Sequence, residues 1–178
     1  IGHGIPDVQP KPMEMYNQSY GMILYRTELV GRKNGKLKIT EPHDYVLVYL
    51  DGRYVGKVDR RLGENSIDIP QTESTFPRLD LLVEAMGRIN FAQEMIDRKG
   101  ITERVSLEGM TLMNWRVYPL PLDDAFIAGL SPIPVDGESV RQAAELYRDE
   151  LEKFFWINKG DIPQFDLVFL GMGIDGHT

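Results

Sequence analysis

Few residues in this sequence have the type and spacing that chemistry requires. Gly171, Gly173 and Gly176 follow a β-prone run in G-x-G-x-x-G spacing, with His177 next to the last glycine. That spacing serves a dinucleotide when a helix N-terminus follows to face the pyrophosphate and an acidic residue stands about twenty positions on. Nothing follows Thr178 here, so no dinucleotide site is expected. His177 is an imidazole that can relay a proton near neutral pH. The other histidines, His3 and His43, are too widely spaced for a multi-histidine metal centre, and the absence of cysteine excludes disulfides, thiolate metal sites and a cysteine nucleophile. Neither a metal nor a cofactor is expected. Trp115, Tyr118 and Tyr54 could stack on a sugar ring, although aromatics in a small β-domain are more often core or interface residues.

Charged residues elsewhere read as structural. Glu14, Glu28, Glu41, Glu64, Glu73, Glu84, Glu94, Glu103 and Glu108 are expected at the surface, where glutamate normally sits. Arg53, Lys57, Arg60 and Arg61 gather around Asp51-Gly52 and read as a solvated strand edge that discourages edge-to-edge pairing. In Met86-Gly87-Arg88-Ile89-Asn90, Gly87 suggests a bend, while Arg88 and Asn90 could tie a loop to its surroundings.

The elements that must hold these residues change character near residue 125. Before it come short runs rich in Tyr, Val, Ile and Leu: Met22–Leu29, Tyr45–Leu50, Arg53–Val58, Leu79–Met86, Arg104–Leu107 and Leu112–Tyr118. Two such runs around Asp51-Gly52 predict a hairpin, since both central turn positions need positive φ. Many short strands with frequent turns predict an antiparallel sandwich. After Pro119 the pattern becomes helical. Ser139 and Gln142 form a capping box, and Val140, Ala143, Ala144, Tyr147, Leu151 and Phe154 make one apolar stripe. Phe165–Leu170 then reads as a strand apolar on both faces, as in parallel sheets.

Charge divides in the same place. From Phe126 onward there are 4 Lys/Arg against 9 Asp/Glu, whereas the longer first part has 16 against 18. The total of −7 over 178 residues argues against a nucleic-acid surface, which needs a basic stripe. No apolar run approaches the length of a membrane helix, so a soluble protein is expected. The start at Ile1 rather than Met reads as a processed or cut edge.

Two resemblances give these halves meaning. Tyr20–Thr27, His43-Asp44-Tyr45, Leu50-Asp51-Gly52, Gly56–Arg61 and Leu81–Glu84 resemble the region just after the barrel in family 35 β-galactosidases. The sharpest matches are Met86–Phe91, Asp97–Ile101 and Asn114-Trp115, and the likeness runs from about Lys11 to Leu122. It implies a jelly-roll-like β-sandwich over residues 1–124 beside a catalytic barrel absent from this chain. That family's two catalytic glutamates belong to the barrel and have no counterpart among the glutamates here. Residues 127–178, with Gly171–Thr178 as their signature, resemble part of 6-phosphogluconolactonases and more loosely glucosamine-6-phosphate deaminases. This implies an incomplete α/β fragment over 125–178 in which His177 would be the base that activates water to open a lactone, with Asp175 in support. The family's N-terminal phosphate-binding loop has no counterpart, so His177 is expected to be inactive.

The leading expectation is a noncatalytic β-galactosidase module with a lactonase-like tail. The alternatives are lactone hydrolysis by a tail completed by another chain, and a carbohydrate-binding module. The first resemblance implies a secreted, periplasmic or lysosomal-type compartment, and the second a cytoplasmic one.

Overall fold

The computed structural model describes residues 3–130 together with Glu145, Arg148, Asp149 and Glu152. The chain divides into two compact units, Ile1–Leu130 and Ser131–Thr178. The first is mainly antiparallel β, as the alternating sequence predicts. Its strands are β1 (Ile5–Asp7), β2 (Met22–Glu28), β3 (Gly35–Ile39), β4 (Pro42–His43), β5 (Tyr45–Leu50) and β6 (Arg53–Asp59). Then come β7 (Ser66–Ile69), β8 (Arg78–Glu84), β9 (Gly100–Ile101), β10 (Val105–Leu107), β11 (Met110–Thr111) and β12 (Trp115–Leu120). Six strands form one sheet in the order β1-β12-β2-β8-β5-β6, four form another in the order β11-β10-β3-β7, and β4 pairs with β9 alone.

Period-2 alternation explains the layering. Ile23 and Tyr25 of β2, Leu79, Leu81 and Val83 of β8, and Val46 and Val48 of β5 point to one side of the large sheet. They join Leu37 and Ile39 of β3, Ile69 of β7, and Val105 and Leu107 of β10 in a single core. Sandwich-like packing follows because each sheet has one apolar face to bury. Trp115 belongs to this core, 1% exposed, with its indole N–H donated to the Leu112 carbonyl at 3.0 Å.

The predicted hairpin is present. Asp51 (φ 51°) and Gly52 (φ 80°) turn β5 into β6, as a two-residue turn requires. Leu112–Asn114 are a loop rather than strand, and the last core strand starts at Trp115. Asn114 at φ 64° explains the break, because a left-handed residue cannot continue a ladder. Strands β1, β3, β4, β7, β9 and β11 lie outside the runs that the sequence marks. Each is five residues or shorter, too short to show a period above its turn-rich surroundings.

Around the expected junction the chain forms α1 (Asp124–Ala128), capped by Asp123, whose carboxylate accepts the Phe126 N–H at 2.7 Å. Glu145, Arg148, Asp149 and Glu152 are helical, inside the segment for which the spacing predicts a helix. The apolar stripe of that helix, the Phe165–Leu170 strand, the glycine-rich octapeptide, Asp175 and His177 lie outside the described residues.

Candidate functional site

A buried charge cluster sits where three chain connections meet. His43 and Asp44 stand at the β4–β5 junction, across a peptide bond that is cis. Arg60 opens the short 3-10 helix Arg60–Leu62 that follows β6, and Asp97 and Lys99 lead into β9. Lys99 is 1% exposed, a burial lysine reaches only when paired. Its Nζ lies 2.5 Å from Asp44 Oδ2 and 2.8 Å from Asp97 Oδ2. Arg60 Nη1 lies 2.9 Å from Asp44 Oδ1 and 2.9 Å from Asp97 Oδ1. Two cations therefore bridge the same two carboxylates, and the quartet is neutral.

His43 completes the arrangement. Its Nδ1 is 2.7 Å from Asp97 Oδ1, and because an ionised carboxylate only accepts, that nitrogen carries the proton. Nε2 lies 3.4 Å from exposed Glu41. Burial works to raise the Asp97 carboxyl, but hydrogen bonds from Lys99 and Arg60 outweigh it and hold the group below the ordinary carboxylate range.

Backbone bonds lock the cluster into the sheets. The Asp44 N–H donates to the Glu84 carbonyl at 3.1 Å, and the Arg60 N–H donates to the Asp44 carbonyl at 3.1 Å. The Met13 N–H donates to the Lys99 carbonyl at 2.8 Å, and the Lys99 N–H donates to Glu14 Oε1 at 3.1 Å. No buried side-chain nitrogen or oxygen is left without a partner among the described residues.

The chemical capacity of this cluster is limited. His43, Asp44 and Asp97 bring possible metal-ligand atoms within 4.8 Å of one another. Both carboxylates are already engaged by Lys99 and Arg60, so a divalent cation would have to displace an ammonium and a guanidinium. Paired carboxyls at such a separation also invite comparison with a retaining glycosidase, whose general acid needs a raised pKa. Asp97 is shifted the other way. The cluster does what a satisfied ion network does: it fixes the ends of three connections.

The glutamates behave as expected where they are described: all are exposed or half-buried. Glu14 and Glu64 have structural work. Glu14 receives Arg88 Nη2 at 2.7 Å, and Glu64 accepts the Asp59 N–H at 2.9 Å. The basic group around the hairpin is less uniform than a solvated edge. Arg61 pairs with Asp59 at 2.7 Å, and Arg60 belongs to the buried cluster. Arg88 ties its loop as anticipated, its Nε donating to the Ser19 carbonyl at 2.8 Å. Of the aromatics weighed for sugar stacking, Trp115 is buried and cannot serve. Tyr118 lies under the Arg26 guanidinium at 5.4 Å, and half-exposed Tyr54 packs edge-on against Tyr49. Asp44, Asp97 and Lys99 are the residues that a search for catalytic glutamates overlooks. Their signal was the motifs His43-Asp44-Tyr45, Gly56–Arg61 and Asp97–Ile101, which converge in space although up to about sixty residues separate them.

The described unit is an antiparallel sandwich whose buried ionisable cluster is paired internally. Comparison with known proteins gives its family. Residues 10–121 match the family described as β-galactosidase, first all-beta domain, and the chain belongs to that family. A β-galactosidase of Xanthomonas manihotis is 43% identical over 116 residues, 64% of this chain and 19% of that protein. Beta-galactosidase 17 of Arabidopsis thaliana is 33% identical over 129 residues, and the human β-galactosidase 33% identical over 125 residues. These alignments cover 66% and 68% of this chain and 18% of each relative. The chain thus spans less than a fifth of the relatives it matches. Residues 102–178 match a second family, described as glucosamine-6-phosphate isomerases/6-phosphogluconolactonase. The two matches overlap across β10–β12. Among the described residues no helix is long and apolar enough to cross a membrane.

Proposed function

We propose that residues 1–124 are a noncatalytic accessory β-sandwich of a β-galactosidase, an enzyme acting on terminal β-galactosides, and that the module packs beside a catalytic barrel outside this chain. The observation that carries this reading is the pairing of Asp44 and Asp97 with Lys99 and Arg60, which commits both carboxylates to ion pairs inside the module. The family match and the small share of each relative that it covers support it. A domain exchange tests it. Residues 10–121 of this chain replace the matching segment of the Xanthomonas manihotis enzyme, and the chimera should hydrolyse a chromogenic β-galactoside within about tenfold of the parent. A folded but inactive chimera contradicts the reading.

The match of residues 102–178 favours a second reading for the tail, residues 125–178: a 6-phosphogluconolactonase-like segment with His177 as base, active only if another chain completes its sheet. It predicts accelerated hydrolysis of 6-phosphogluconolactone at high protein concentration, abolished by His177→Ala. An unaccelerated rate removes it.

A further inference from the structure

At one end of the large sheet a cavity of about 490 Å³ opens between the end of β2, the start of β8 and the β11–β12 connection. Arg26, Arg78 and Arg116 line it, together with one acid, Glu28. Two of the arginines share Asp80. Arg26 Nε and Nη2 lie 2.6 and 3.1 Å from its two oxygens, and Arg78 Nε lies 3.0 Å from the second. Arg116 differs. It stands directly opposite Arg26 in the β12–β2 register and opposite Pro6 of β1. Both arginines face outward, since their chain neighbours Trp115, Val117, Tyr25 and Thr27 are buried. Like charges placed directly opposite on one face of an antiparallel pair destabilise it. The exposed Arg116 guanidinium has no ion pair or hydrogen bond among the described residues. Counting Asp80, three guanidiniums thus meet two carboxylates here, on a chain whose net charge is −7.

We propose that this cavity binds a small carboxylate ligand, with the Arg116 guanidinium holding the carboxylate. Such a site neither requires nor excludes the accessory role given above. A planar guanidinium presents a fork of donors that matches a carboxylate in bidentate fashion. Arg26 already makes that match with Asp80 on the adjacent strand, whereas the fork of Arg116 is open. One cation in excess suits a single negative charge better than a doubly charged phosphate. The cavity is also larger than a carboxylate alone, in the range of roughly 300–1,000 Å³ that accommodates small molecules. Thr111 and Asn114 offer a hydroxyl and an amide to the body of the ligand, and Leu112 and Met113 an apolar wall. That wall is held in place. The Thr27 hydroxyl reaches the Met113 and Asn114 carbonyls at 3.0 and 3.2 Å, and the Asn114 N–H donates to the Val8 carbonyl at 3.0 Å. A wall fixed in advance loses little freedom on binding. Free organic acids and acidic sugars both carry the required group.

Amide chemical-shift titration of the whole chain at low ionic strength tests the site with galacturonate, galactose, acetate and sulfate. Galacturonate should bind saturably, shift the amides of residues 26–30 and 111–116, and be weakened by added salt. Galactose, which lacks the carboxylate, should bind at least about tenfold more weakly, the loss expected when a charge-assisted hydrogen bond is removed. Arg116→Ala should weaken galacturonate by a similar factor. It should leave the melting temperature of the unliganded chain unchanged or raised, because it removes a like-charged pair. Glu28→Gln should tighten binding, since it removes a negative charge from the cavity wall. Acetate binding as tightly as galacturonate assigns the site to free acids, and a preference for galacturonate assigns it to acidic sugars. Either result supports the carboxylate site. Galactose binding as well as galacturonate overturns it, as does sulfate binding more tightly than both acids. Absence of saturation, unchanged binding by Arg116→Ala, or a lowered melting temperature for that variant also overturns it.

Discussion

Lys99 carries a charge into a place where charge is costly, and everything around it compensates for that cost. Its ammonium bridges Asp44 and Asp97, while Arg60 bridges the same pair from the more exposed side. Removing one member of a buried ion network leaves an uncompensated charge, which typically costs about 3–5 kcal/mol. Lys99→Ala should therefore lower unfolding stability by about that amount in urea titrations, and Arg60→Ala by clearly less, since Arg60 remains 38% exposed. Equal losses would mean that burial does not set the cost. Asp97 adds a pH signature. Its folded-state pKa lies below the unfolded value, so in acid the unfolded chain binds the proton first. The stability it contributes is complete well above about pH 4 and is lost as pH falls through the folded pKa. Asp97→Asn should flatten the fall in stability below about pH 5; an unchanged slope would refute the assignment.

At the scale of elements, glycines stand at two turns for different reasons. At Gly52 (φ 80°) a Cβ would meet only the tip of Arg78, Nη2 at 3.4 Å, an ordinary contact with the end of a flexible side chain. Gly52→Ala should thus cost only the left-handed backbone penalty, about 1–2 kcal/mol. Gly100 (φ 90°) pairs with His43 and lies against the Tyr25 hydroxyl, which itself accepts the Ile101 N–H at 3.2 Å and donates to the Lys11 carbonyl at 2.7 Å. A Cβ there meets that hydroxyl, so Gly100→Ala should lower the melting temperature by at least twice as much as Gly52→Ala. The same contrast shows what was legible beforehand. The β5–β6 hairpin could be read because alternation and Asp-Gly are local signals. The two-residue pairing of β4 with β9 could not, because it depends on tertiary partners about sixty residues apart. Trp115 was open between sugar platform and core for the same reason: its type is local, its burial is not. The ion cluster was half legible. Its members stood inside quoted motifs, but nothing in one dimension brings Asp44 to Lys99.

At the scale of the whole molecule, the described unit keeps its buried charge in internal ion pairs and much of its exposed apolar surface on one connection. Asp44 and Asp97 are paired, Trp115 of the three aromatics weighed for sugar stacking is in the core, and five exposed apolar side chains lie on the tethered β8–β9 connection. The charge break near residue 125 and the second family match over 102–178 accompany a division of the chain into two units at Leu130. The reading that unites these features is that hydrolytic chemistry belongs to another domain. Hydrolysis of a chromogenic β-galactoside by the purified chain tests it most directly. The prediction is a rate indistinguishable from the uncatalysed one at any protein concentration. Turnover that scales with the chain and is lost on Asp97→Asn would contradict it, and would make the ion cluster an active site.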